Sequence, residues 1–88
     1  MRQVVPLRRF FPSVRQHAPA GTPEGRAVAR VLNQLADERF PLPGPEDVLA
    51  TIPPVLQCLA RPIPSAGLLV CYRITATAVE ILAVKRAD

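Results

Sequence analysis

The 88-residue chain has no tryptophan, one tyrosine, one histidine, one lysine, two cysteines and four glycines. Each shortage excludes something. Two cysteines are too few for a disulfide scaffold, and no stretch approaches the eighteen or so apolar residues of a membrane helix. The opening residues carry no apolar core of the signal-peptide kind, so the expected setting is the cytoplasm with reduced thiols. No glycine-rich phosphate loop, no metal-ligand spacing and no Ser/His/Asp set occurs, so no cofactor and no metal are expected. The length allows one small domain, residues 1–88, and leaves no room for a large cofactor fold.

What is present is proline, eleven residues of it, and arginine. Lys+Arg total 11 against 7 for Asp+Glu, giving +4, and Lys85 is the only positive residue that is not arginine. A planar guanidinium suits phosphate and carboxylate, but codon bias in a GC-rich genome, also consistent with the abundant Ala and Pro, yields the same enrichment. The charge is segmented. Residues 1–30 hold six arginines and one acid, residues 31–60 one arginine and four acids, and residues 61–88 four basic and two acidic residues. Two positive ends around a negative middle suggest an anionic partner, nucleic acid or an acidic protein segment. A hydrophobic fraction of 49% is enough for a core, although so small a domain is marginal by itself.

Along the chain, Arg2-Gln3-Val4-Val5-Pro6 reads as a short strand stopped by its proline. A ragged helix near 11–18 follows, with Pro12 in its first turn, Phe10, Phe11 and Val14 inward and Arg8, Arg9 and Arg15 outward. The plainest helix spans 22–38: Thr22 caps it, Pro23 opens it, Glu24 suits its dipole, and Val28, Val31, Leu32 and Leu35 repeat at helical spacing. Arg26 and Arg30 share one face of it, while Asp37 and Glu38 sit unfavourably at its negative end. Pro41-Leu42-Pro43-Gly44-Pro45 is a linker. Three apolar runs, 55–61, 67–74 and 79–84, then read as an antiparallel meander. For its second hairpin the pairing is expected to set Ile74 against Val79, Arg73 against Glu80, Tyr72 against Ile81 and Cys71 against Leu82. The prolines of residues 62–66 leave the first hairpin's register open, and with it whether Cys58 and Cys71 meet. The fold class is α+β, two N-terminal helices on a small antiparallel sheet in the order β-α-α-β-β-β.

That order, with Val70-Cys71-Tyr72-Arg73-Ile74 followed by Val79-Glu80-Ile81-Leu82-Ala83-Val84-Lys85-Arg86, resembles the RelE/ParE superfamily of toxins. Leu35-Ala36-Asp37-Glu38-Arg39-Phe40-Pro41-Leu42-Pro43-Gly44 is similar to the end of that family's second helix and the loop into its sheet. The likeness covers about 26–86 and is strongest over 68–86. These strings are core pattern and speak to fold before chemistry. The resemblance implies a growth-inhibiting toxin of a type II toxin-antitoxin system, held by a cognate antitoxin. Two modes follow from it: ParE-like binding of DNA gyrase, or RelE-like cleavage of messenger RNA on the ribosome.

A ribonuclease of that kind needs cations for the strained phosphate and a proton donor and acceptor. The candidates are Arg61, Arg73, Lys85 and Arg86. The pair Lys85-Arg86 reads equally as a solvated strand end, and Arg73 as the partner of Glu80. The resemblance would also require an arginine just after Gly67, where Leu68-Leu69 stands, and an acid-base residue beyond the final strand, where the sequence has only Ala87-Asp88. Tyr72 reads as core with its hydroxyl at a rim, His17 as a helix-end residue, and Cys58 and Cys71 as small apolar residues. Arg8, Arg9, Arg15, Arg26 and Arg30 are the candidate contacts to nucleic acid or a protein partner. The expected function is therefore a toxin-like protein acting by binding, with a messenger-RNA endonuclease as the alternative. It depends on residues 55–84 forming adjacent strands that show their arginines on one shallow face.

Overall fold

A computed structural model describes residues 1–53 and 56–87. Strand β1 (Val4–Pro6) leads to helices α1 (Phe10–His17) and α2 (Pro23–Ala36), then to strands β2 (Val48–Ile52), β3 (Leu56–Ile63), β4 (Leu68–Ile74) and β5 (Val79–Arg86). The fold is α+β, with one five-stranded sheet in the order β1-β5-β4-β3-β2. The sheet is mixed, not antiparallel, because β1 runs parallel to β5, pairing Val4 with Val79. The meander over the last third is present, and β2 adds a fourth antiparallel strand ahead of it, Val48 opposite Ala60 through Ile52 opposite Leu56. Val55, read as the start of the first run, lies outside the described residues. No helix among the described residues is long and apolar enough to cross a membrane.

Local chemistry sets the helices. Thr22 Oγ1 accepts from the Gly25 amide at 3.0 Å, and Pro23 takes the first helical position, where a missing N–H costs nothing. The helix stops at Ala36, two residues short of Glu38. Asp37 turns to extended backbone and its carboxylate accepts from the Arg39 amide and guanidinium. The negative end of α2 is met instead by Arg2, which donates to the carbonyls of Leu35, Asp37 and Phe40. In α1, Pro12 is the third residue, and Ser13 Oγ accepts from the Val84 amide at 2.9 Å, tying this helix to β5. Phe10 is buried, but Phe11 is about half exposed and is not part of the core; adjacent helical positions point about 100° apart, so both cannot face the sheet.

Two apolar layers result. On one face of the sheet, Val28, Val31 and Leu35 of α2 and Phe10 of α1 pack with Val70, Tyr72, Ile81 and Val84. On the other face, Ile52, Cys58, Ala60, Cys71, Leu82 and Ala83 form a second, smaller core. The second hairpin pairs Ile74 with Val79, Arg73 with Glu80 and Tyr72 with Ile81, in the expected register. Cys71, however, faces Ala83 and not Leu82, because a bulge lies between Cys71 and Tyr72. One extra residue on β5 lets two successive side chains, Leu82 and Ala83, enter the second core, where strict alternation would send one away. Lys85 Nζ donates to the Thr51 carbonyl at 3.0 Å, although β4 and β3 separate their strands in the sheet. The sheet thus curls about its second face, bringing Ile52 against Leu82.

Candidate functional site: a buried ion-pair cluster and an arginine-walled groove

The arginines expected on one shallow face lie on two. In β3, Arg61 stands opposite Val70 and points to the α2 side, where only 4% of it is exposed. Arg86 occupies the same side by register, opposite Leu68. Arg73 and Lys85, opposite Glu80 and Leu69, belong to the other side. Strand alternation forces this split, since positions 61 and 73 fall on opposite sides once Leu59 pairs with Tyr72.

Arg61 is held by partners far from it in sequence, none of them among the candidate residues. Asp47, its side chain 1% exposed, accepts from Arg61 Nε and, at 3.3 Å, from Nη2. Gln34 Oε1 of α2 accepts from Nη1 at 3.2 Å, and the Glu46 carboxylate lies 2.9 Å from Nε. Asp47 Oδ2 also accepts from the Tyr72 hydroxyl and from the Gly44 amide at 2.7 Å. A Cβ at residue 44 would stand 2.7 Å from Arg61 Nη2, so any larger residue there would displace the guanidinium from its present position. The one signal in the sequence is an arginine within a largely apolar strand, which when buried demands an acid beside it.

The electrostatics follow from these contacts. Burial alone would push the Asp47 carboxyl up, but hydrogen bonds from Arg61, Tyr72 and Gly44 bring it below the ordinary carboxylate range. The Tyr72 phenol is pushed up, first by burial and then by the Asp47 carboxylate. A phenol so placed holds its proton, and a guanidinium so paired has no free fork for a phosphate. Tyr72→Phe is therefore expected to cost about 1 kcal/mol of stability, since Asp47 keeps its two other donors; urea unfolding of both proteins measures it.

The remaining candidates lie outward. Arg8, Arg9, Arg15, Arg26, Arg30 and Arg86 are exposed, and Arg26 donates to the Gly21 carbonyl. Arg73 Nε donates to Glu80 Oε1 at 2.5 Å. His17 is half-buried at the end of α1. The thiols of Cys58 and Cys71 are buried side by side in the second core, and burial pushes Cys71 up to about 12, which makes it inert as a nucleophile. Among the described residues no group of three or more His, Cys, Asp or Glu could hold a metal.

Three of these arginines meet at one place. A groove of about 350 Å³ opens on the second face of the sheet, its floor formed by Leu7, Ile52, Leu56 and Leu82 and its walls by Arg8, Arg9 and Arg73. Arg9 Nη1 donates to the Pro53 carbonyl at 2.8 Å, which fixes that wall and leaves its other donors outward. No acidic residue lines the groove among the described residues. The sequence sets Arg8 and Arg9 among the partner contacts and Arg73 among the phosphate-holding candidates, and the curl of the sheet unites the three.

No protein-family model, curated protein or solved structure matches the chain.

Proposed function

We propose that the chain is a toxin-like protein of the RelE/ParE type that acts by binding a cellular target and not by cutting RNA. The order of elements supports the first part: a strand, two helices, then consecutive antiparallel strands, with the opening strand beside the last. The observation that carries the second part is the commitment of Arg61 and Tyr72 to Asp47 inside the molecule. A phosphate-cleaving face would need that guanidinium and a proton donor at the surface. With Arg61 and Arg86 on one side of the sheet and Arg73 and Lys85 on the other, the shared cationic face on which the toxin reading depended does not exist. That reading now rests on the order of elements alone, and the nuclease alternative loses its central cation. Outward-facing Arg8, Arg9, Arg15, Arg26 and Arg30 are suited to an acidic protein surface, an antitoxin segment or gyrase among them.

Induction of the chain in a bacterial host tests this. Growth should slow while primer extension on translated messages shows no new stops, and plasmid supercoiling reports whether gyrase is the target. New stops in messages that disappear with Arg73→Ala or Arg86→Ala would restore the nuclease. Growth unchanged at high expression would remove the toxin reading altogether.

A further inference from the structure

The groove of the second face has a ligand chemistry of its own. We propose that it binds a small amphiphilic anion, a short aliphatic body ending in a carboxylate or a phosphate. Its volume falls in the range of small-molecule sites and holds about a dozen water-sized groups at about 30 Å³ each. Among the described residues the floor is aliphatic, Leu7, Ile52, Leu56 and Leu82, and gives an alkyl chain an apolar surface to cover. Among the described residues the charged groups of the walls are all cations. Arg8 makes no hydrogen bond with the described residues, and Arg9 and Arg73 each spend one donor, on Pro53 and Glu80, out of the five a guanidinium carries. Carboxylate and phosphate are the heads that such forks grip in pairs. Helix α1 begins at this wall, directly after its N-cap Arg9, with no acidic residue in its first turn, so its positive end adds to the same field.

Size decides between a small ligand and a protein segment. A stable protein interface buries about 800 Å² on each side, whereas among the described residues the floor here is four side chains. The counter-charge is Glu80, 2.5 Å from Arg73 Nε, so Arg8 and Arg9 carry more of the head-group binding than Arg73. The inference does not depend on the toxin reading, although Arg8 and Arg9 are shared with it, and the growth and supercoiling measurements that test that reading are separate from the binding measurements below.

Amide NMR of the full chain, titrated with octanoate and with octyl phosphate below their aggregation limits, provides the test. Saturable shifts should concentrate at Leu7, Ile52, Leu56 and Leu82 for at least one of the two, and the stronger probe identifies the head group. Octylammonium and inorganic phosphate should each bind at least about tenfold more weakly, one lacking the anion and the other the chain. Arg8→Glu, a change at an exposed residue that no described contact requires, should weaken the preferred probe about tenfold with the amide spectrum otherwise folded. Absence of saturation, shifts centred elsewhere, equal binding of octylammonium, or indifference to Arg8→Glu would each overturn the proposal. So would an acidic amphipathic peptide that excludes octanoate at far lower concentration, which would assign the groove to a protein partner.

Discussion

Asp47→Ala should cost about 3 to 5 kcal/mol of unfolding free energy. Removing one member of a buried ion pair leaves the other charged and unpartnered, and that penalty exceeds the net worth of the pair itself. Arg61, 4% exposed, would keep only Gln34 and the half-exposed Glu46. A domain of this size holds about 5 to 15 kcal/mol in total, and each kcal/mol moves its melting point by about 4 to 8 °C, so the variant should melt more than about 12 °C lower. Calorimetry reads this directly. The double replacement Asp47→Leu with Arg61→Met should lose less than the sum of the single changes, because it leaves no orphaned charge. Additive losses would show that the two residues act independently.

The same cluster sets a pH dependence with a definite sign. The Asp47 carboxyl is lower in the folded chain than its ordinary value of 3.8. The folded state therefore binds this proton less readily, and the contribution is complete above pH 3.8 and disappears as pH falls through the folded value. For Tyr72 the shift is upward from 10.0, so its contribution is complete below pH 10 and disappears as pH rises through the folded value. Asp47→Asn should flatten the acid limb of a stability-versus-pH curve, and Tyr72→Phe the alkaline limb.

Gly25→Ala has an expected result opposite to its helix propensity. Alanine is favoured over glycine inside a helix by about 1 kcal/mol, yet here the substitution should destabilise by about 2 to 3 kcal/mol. A Cβ at residue 25 would lie 2.3 Å from the Pro19 carbonyl oxygen and 3.1 Å from that of Ala18, both backbone atoms. No flexible side chain is available to yield, so the turn between the helices or the start of α2 must shift, at the cost typical of overpacking. The Thr22 cap depends on that geometry, because its hydroxyl accepts from the Gly25 amide and donates to the Pro19 carbonyl. Urea unfolding that shows the alanine variant equal to or more stable than the parent would mean that the turn relaxes freely.

Which parts of this molecule could be read in advance follows from the range of the interactions that make them. Helix α2 is specified by its fourteen residues and the one before them, through the Thr22 cap, Pro23 and an apolar stripe. The second hairpin is specified by cross-strand pairs only a few residues apart, and its register emerged except at the bulge, where Leu82 and Ala83 both turn toward one side. Strand β2 was not legible. Val48-Leu49-Ala50-Thr51-Ile52 is short, stands at an edge with Leu49 mostly exposed, and lacks the alternation that marks a half-buried strand. Its existence is a property of β3 alongside it. Arg61 gave an arginine in a strand but not its neighbour, since Asp47 lies fourteen positions earlier in a loop whose path is fixed only when α2 and the sheet have met. The groove is less legible still: Arg8, Arg9 and Arg73 converge because the whole sheet bends, a property of no single segment.

The parallel pairing of β1 with β5 bears on how the chain comes to be folded during synthesis. Val4 has no sheet partner until Val79 has been made, 79 − 4 = 75 positions later. A nascent chain emerging from the ribosome can form α2 early, but its opening strand must wait for almost everything downstream. Contacts so distant in sequence form slowly, because loop closure precedes any reward. The leading strand therefore joins the sheet only after residues 79–81 have been made, and its docking is a late step of folding.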